Sequence, residues 1–312
     1  MFGRQTPTFQ PETDIPPLDG KVIIVTGGNM GLGKQSVLEL SRHRPAQIWL
    51  AARNLDKARA AMEEIREEIA DAPIRLLELD LSSFESVKRA AATFSAESAR
   101  LDILMLNAGV MAIDPGLTKD GYEIQFGTNN IGHALLTKLL LPILQKTAES
   151  SDSSDVRIVS LTSQSHNYAP TGGIQFDKLK TSGESLGAYP RYAQTKLANI
   201  LWVRQMAKLY PQFTVAAIHP GVVPTGLVKR ATSMPTLMRM AINAAHGLGI
   251  TSTVENGVRN QLWACVSKDV KSGEYYEPVG VGGLVSKYGK DNHLAEELWD
   301  WLENELGQAE LS

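Results

Sequence analysis

Cysteine is almost missing from this chain: Cys265 is the only one in 312 residues. No internal disulfide can form, which excludes a small cross-linked secreted scaffold. Cys265 lies in an apolar periodic run with Val258 and Leu262 and reads as a small core residue, a reactive thiol being the alternative. Long hydrophobic runs are missing too. The best stretch, 134–144, is cut by Lys138 and Pro142, far from the roughly 18 apolar residues of a spanning helix. The first 20 residues carry four prolines and no apolar segment, so neither a signal peptide nor a membrane anchor is expected. Charge of one sign is also lacking: the net charge is −3 with no run of like charges, which leaves no electrostatic case for nucleic acid. His133, His166 and His219 fall on different predicted elements without ligand spacing, so no metal site is expected. A cytoplasmic protein is the expectation.

What is present is an ordinary globular balance, 43% hydrophobic and 21% charged residues, sufficient for a packed core. After an N-terminal extension, 1–19, short β-branched runs alternate with helical patterns. Strands are predicted over 21–26, 47–52, 74–79, 101–106, 156–161 and 213–219. Helices are predicted over 31–43, 54–69, from Ser82 or Ser83 through Ala91, and over 129–146, 192–209 and 291–306. That order implies parallel strands joined by right-handed crossovers: an α/β fold, a single-domain Rossmann-type doubly wound parallel sheet with helices on both faces. No linker divides it, so 20–312 reads as one domain. The segment 291–306 carries Leu294, Leu298, Trp301 and Leu302 on one stripe and is expected to pack on the core.

The chemistry-bearing residues gather at predicted strand ends. Thr26-Gly27-Gly28-Asn29-Met30-Gly31-Leu32-Gly33 follows the first strand and opens the first helix. Glycines there permit a tight turn and close approach of backbone to a pyrophosphate, which the helix N-terminus attracts. Lys34, just inside the helix, reads as a solvated residue or a phosphate neighbour. The second strand ends Ala52-Arg53-Asn54 with no carboxylate to accept from ribose hydroxyls. Arg53 can pair with a 2′-phosphate, the alternative being a solvated residue at a helix start. Leu106-Asn107-Ala108-Gly109 ends the fourth strand, Ser160-Leu161-Thr162-Ser163 the fifth, and His219-Pro220-Gly221 the sixth. Tyr192 and Lys196 share one helical face at i, i+4, where an ammonium favours tyrosinate and is expected to lower the phenol's pKa.

From Thr26 to Thr225 these motifs resemble the short-chain dehydrogenase/reductase family. Met30 stands where the extended branch has glycine, so the likeness is to the compact branch. Phe126-Gly-Thr-Asn129-Asn-Ile-Gly132-His133, Tyr192-Ala-Gln-Thr-Lys196-Leu-Ala-Asn199 and His219-Pro220-Gly221-Val222 look most like its retinol-dehydrogenase-like and WW-domain-oxidoreductase-like subgroup. The resemblance implies an NADP(H)-dependent oxidoreductase, NAD(H) being the alternative. It would move a hydride between nicotinamide and a carbonyl or alcohol carbon. It implies Tyr192 as acid/base, Lys196 on the nicotinamide ribose, Ser163 on the substrate oxygen and Asn129 beside a proton-relay water. Asn130 and Thr162 are the neighbouring alternatives to Asn129 and Ser163. It further implies a cofactor groove formed by Thr26, Gly27, Asn29, Gly31, Leu32 and Gly33. Asp80 and Leu81 would lie at the adenine end, Asn107, Ala108 and Gly109 along the groove, and Pro220, Gly221, Val223 and Thr225 at the carboxamide.

The connection 164–191, with His166, Tyr168, Phe176 and Tyr189, is expected to wall the substrate pocket, surface decoration being the alternative. The methionine-bearing segment 225–250 resembles a lid, and methionine suits an apolar substrate. A homodimer through helices 129–146 and 192–209 is the expected assembly if there is one. The competing functions are a cofactor-binding sensor and a redox-neutral tailoring enzyme on the same scaffold.

Overall fold

The computed structural model describes residues 8–150, 155–223, 231–233 and 252–310. Seven parallel strands form one sheet: β1 (Val22–Thr26), β2 (Gln47–Ala52), β3 (Ile74–Glu78), β4 (Ile103–Leu106), β5 (Val156–Leu161), β6 (Phe213–Ile218) and β7 (Tyr275–Tyr276). Their order is β3-β2-β1-β4-β5-β6-β7. The order reverses between β1 and β4, and that switch point opens a crevice beyond the carboxyl ends of the strands.

The central strands β1 and β4 read as near-continuous apolar runs because both faces of the sheet are covered there. Ile24, Leu104, Ile158 and Val215 pack on one face with α3 (Phe84–Glu97), α4 (Gly132–Glu149), α5 (Ala188–Leu209) and α7 (Asn292–Glu310). Ile23, Val25, Leu50, Met105 and Val159 pack on the other with α1 (Gly31–Ser41), α2 (Leu55–Glu68) and α6 (Arg259–Val266). Asn54 caps α2 by accepting from the Lys57 N–H at 2.8 Å, and Ser83 caps α3 in the same way. Ser83, rather than Ser82, is therefore the cap.

Three features depart from the sequence expectation. Phe9, Ile15 and Leu18 are buried in the second core cluster, so residues 8–19 belong to the same packed body and no structural break falls at 19/20. The helix expected from Asn129 starts as a short turn, Ile124–Phe126, followed by a π-turn, Gly127–Ile131, before α4 proper. Finally β7, only two residues long, is too short for any periodic signal.

Leu294, Leu298, Leu302 and Leu306 form the buried stripe of α7. The helix lies over α4 and α5 through Leu302 and Trp299, with ion pairs Lys138–Glu303 (2.9 Å) and Lys208–Glu296 (2.7 Å) at its edges. The two helices expected to meet a second subunit thus carry a helix of their own chain. Cys265 is buried, and burial pushes its thiol up to about 12, as a core residue requires.

Candidate active site

A cleft of about 450 Å³ runs across the switch point. Its floor is made by the ends of β1, β4, β5 and β6, and α1 and α5 flank it. Gly27, Asn29, Gly31, Leu32 and Gly33 line one end, with Arg53, Asp80 and Leu81 beside them. Asn107, Ala108, Gly109 and Pro220, Gly221, Val223 line the middle, and Ser163, Tyr192 and Lys196 the inner wall.

The glycine turn is required by contact as well as conformation. Gly27 and Gly31 have φ of +66° and +51°, which favours glycine. A Cβ on Gly33 would collide with the Gly27 carbonyl and come within 2.5 Å of the Asn107 amide. Met30 gives the N-terminus of α1 no side-chain cap, and the N–H groups of a helix's first turn are of the kind that can meet an anion. The Lys34 side chain pairs with Glu64 on α2, while its N–H donates to the Met30 carbonyl (3.2 Å). Arg53 is exposed at the cleft rim and makes no ion pair with any described residue. Asn54, not Arg53, starts the helix.

Two of the expected site residues, Thr26 and Asn129, are not among those that line the cleft. Thr26 is fully buried. Its hydroxyl accepts from the N–H groups of Asn107 (2.9 Å) and Ala108 (3.0 Å) and sits 2.9 Å from His133 Nε2. It therefore ties the end of β4 to β1. Asn129 is fully buried behind Gly109. Its Oδ1 accepts from Val110 N–H (2.7 Å), and its Nδ2 donates to Val110 carbonyl (2.8 Å) and Thr195 Oγ1 (3.1 Å). A Cβ on Gly109 would lie 3.1 Å from Asn129 Oδ1 and 3.8 Å from Lys196 Nζ, so Asn129 stands next to the lysine. Asn130 faces away, donating to Asn199 Oδ1 (3.1 Å). Thr225 and most of 225–250 lie outside the described residues.

The two hydroxyls at the end of β5 both line the cleft but have different partners. Thr162 Oγ1 donates to the Lys196 carbonyl (2.6 Å) and is spent on α5. Ser163 opens the 3-10 turn Gln164–Tyr168 and lines the cleft. Lys196 Nζ donates to the Leu161 carbonyl (3.0 Å) and lies 5.6 Å from the Tyr192 ring centre. Burial lowers Lys196 to about 8. Burial also raises Tyr192; the Ser163 hydroxyl works against that rise and Tyr189 adds to it. The shift is opposite to the lowering expected from the ammonium: taking the phenolate out of water dominates, and the hydroxyl of Ser163, not Lys196, supplies the opposing pull.

His166, in the 164–191 connection, is buried. Its Nδ1 lies 2.8 Å from the Ser163 carbonyl, and its Nε2 accepts from Ser286 N–H (3.0 Å). Met111, Ser165 and Tyr189 also line the cleft. The sequence marks Tyr189 as an aromatic of that connection, whereas nothing in it singles out Ser165 or Met111.

Burial lowers His133 to about 3 and His219 to about 4. Both are neutral when folded and titrate near 6.5 when unfolded. Between those limits the unfolded chain binds more protons, so stability falls as pH drops below about 6.5. Urea midpoints at pH 7 and pH 5 should show the loss, and His219→Gln should make it shallower. An unchanged slope in that variant would remove His219 from the account.

A family model described as short chain dehydrogenase matches residues 21–175. Short-chain dehydrogenase/reductase drtF of Aspergillus calidoustus is 38% identical, with 95% of this chain and 97% of that protein covered. Human retinol dehydrogenase 13 is 41% identical, with 90% and 83% covered. Among solved structures, an uncharacterised protein from Mycobacterium paratuberculosis superposes with a TM-score of 0.70 at 26% identity, covering 96% and 98%. The Pseudomonas aeruginosa RhlG/NADP active-site complex gives 0.64 at 23%, covering 84% and 96%. Full-length relatives of this identity, on a switch-point cleft built as described, make this chain a member of the short-chain dehydrogenase/reductase family of oxidoreductases, in its retinol-dehydrogenase-like subgroup.

Proposed function

We propose that the protein is an NADP(H)-dependent reductase or dehydrogenase acting between a carbonyl and an alcohol of a largely apolar small molecule. The observation that carries this reading is the convergence of Tyr192, Ser163 and Lys196 at the inner wall of a cleft whose far end holds the glycine turn and Arg53. The tight packing at Gly33 and the uncapped start of α1 suit a pyrophosphate. Arg53, free of ion pairs with described residues, suits a 2′-phosphate. The solved RhlG complex contains NADP, which agrees with that choice.

When bound, the nicotinamide supplies or accepts the hydride. The protein's part is protonic and positional. Tyr192, kept protonated by burial, holds a proton ready for the carbonyl oxygen, and in the reverse direction receives it from the alcohol. Ser163 donates to the same oxygen. Lys196, near 8, is mainly charged at neutral pH and lies where a ribose hydroxyl would meet it. Asn129 fixes the Val110 backbone beside Lys196. Val110, Met111 and Val222 give the substrate end an apolar surface.

Arg53→Ala tests the cofactor choice. NADPH affinity should fall about 10-fold or more, the scale of a charge-assisted pair, with NADH affinity little changed. NADPH consumption by the wild type should be faster with decanal than with propanal. An equal loss for both nucleotides would remove Arg53 from phosphate recognition, and equal rates for the two aldehydes would count against an apolar substrate.

A further inference from the structure

The substrate wall carries a pair of hydroxyls that the reading above does not use. Ser165 N–H donates to Ser163 Oγ (3.2 Å), and Ser163 Oγ in turn has Ser165 Oγ as its acceptor at 3.1 Å. Ser165 Oγ lies 2.9 Å from the Tyr189 phenol oxygen, where either group can be the donor. Tyr189 precedes Tyr192 by three residues on α5, so the two rings share a helical face, with centres 6.3 Å apart. Both Ser165 and Tyr189 line the cleft. A continuous file of hydroxyls therefore runs Tyr189–Ser165–Ser163 and ends beside the Tyr192 phenol.

Each hydroxyl has one proton to give. While Ser163 donates to Ser165, its proton points away from any oxygen bound next to Tyr192, and Ser163 cannot stabilise charge there. The conflict disappears if the file runs the other way. A phenol is the stronger acid and better donor of the Tyr189–Ser165 pair. With Tyr189 donating to Ser165, the Ser165 proton goes to Ser163 and the Ser163 proton is free for the substrate. Each donation also polarises the next O–H bond, and the effect grows where water is excluded. Ser165 is only 8% exposed.

We propose that Tyr189 and Ser165 are positioning residues that turn the Ser163 hydroxyl toward the reacting oxygen and, through the connected donors, strengthen its hold on the negative charge that develops there. This rests on the assignment of Tyr192 and Ser163 as the groups that meet that oxygen. The two hydroxyls satisfy each other, so they act through Ser163 and need no polar group elsewhere on the substrate.

The test uses the full chain with NADPH and decanal. Tyr189→Phe keeps the ring against Tyr168 and Tyr192 and removes only the terminal donor; Ser165→Ala breaks the middle of the file. Each should lower kcat about 3- to 10-fold, the scale of one hydrogen bond. KM for NADPH and the melting temperature should not move. Because the file acts as one unit, the double variant should be no slower than the slower single, and Ser165→Thr should restore most of the rate. Independent, multiplying losses in the double variant would overturn the proposal. So would an effect confined to KM for decanal, which would mean direct substrate contact, or an unchanged kcat in Tyr189→Phe. Tyr192→Phe separates the two levels: turnover that survives it strikes the acid/base assignment, whereas a loss there with none in Tyr189→Phe strikes the hydroxyl file alone.

Discussion

Tyr192→Phe should lower kcat about 10²- to 10⁴-fold while NADPH binds as in the wild type. The range is that of a positioned proton donor and corresponds to roughly 3–5 kcal/mol of transition-state stabilisation. The substitution removes one oxygen from a side chain that is 4% exposed, so the ring keeps its neighbours and the fold has little reason to change. Burial holds the phenol protonated, which suits a donor to a carbonyl. Nothing else at the inner wall replaces it, since Ser163 is a far weaker acid and Lys196 is engaged with the Leu161 carbonyl. Steady-state rates with decanal, together with NADPH binding by fluorescence, decide the matter. A residual rate within about tenfold of the wild type would take the acid/base role away from Tyr192.

Arg191→Met should destabilise the protein by about 3–5 kcal/mol, a large part of a typical folding free energy. Arg191 and Glu123 are both fully buried, with Nη1 and Oε1 2.7 Å apart. Arg191 Nη2 also donates to the Ile113 carbonyl (2.7 Å), and Glu123 Oε2 accepts from Phe126 N–H (2.7 Å). Losing the arginine strands a carboxylate whose pKa is already raised by burial against the pull of Arg191. Replacing both, as Glu123→Leu with Arg191→Met, should recover most of the loss, because no buried charge is then left unpaired. Urea melts of the two singles and the double measure this. Additive losses would mean that the pair is not coupled. Arg191 directly precedes Tyr192, so the pair also anchors the start of α5 to the loop between β4 and the π-turn, and kcat should fall along with stability.

The parts of the molecule that were legible in the sequence are those with local signals. Apolar runs such as Ile23–Ile24–Val25 announce a strand covered on both faces, and the 27/31/33 glycine spacing announces a turn closed by backbone contact. The motif from Tyr192 to Lys196 announces two side chains on one helical face. What stayed hidden depends on partners distant in sequence. Arg191 and Glu123 are 68 positions apart, and neither residue type suggests complete burial until its partner is known. Thr26 was expected at a ligand because it begins the glycine motif. Only the positions of Asn107, Ala108 and His133 reveal that its hydroxyl is already committed. The rise in Tyr192's pKa was hidden for the same reason, since sequence spacing gives the distance to Lys196 but not the water lost around the phenol.

The seating of α7 has a consequence for how this protein tolerates dilution. A cover supplied by a second molecule is present only above the dissociation constant of the pair, whereas one tethered in the same chain has a local concentration set by its connection. The leucines of α7, with Trp202 and Met206 beneath them, therefore stay shielded at any protein level the cell maintains. The part of the α4–α5 face that lies under α7 is thus covered from synthesis onward, by the chain itself.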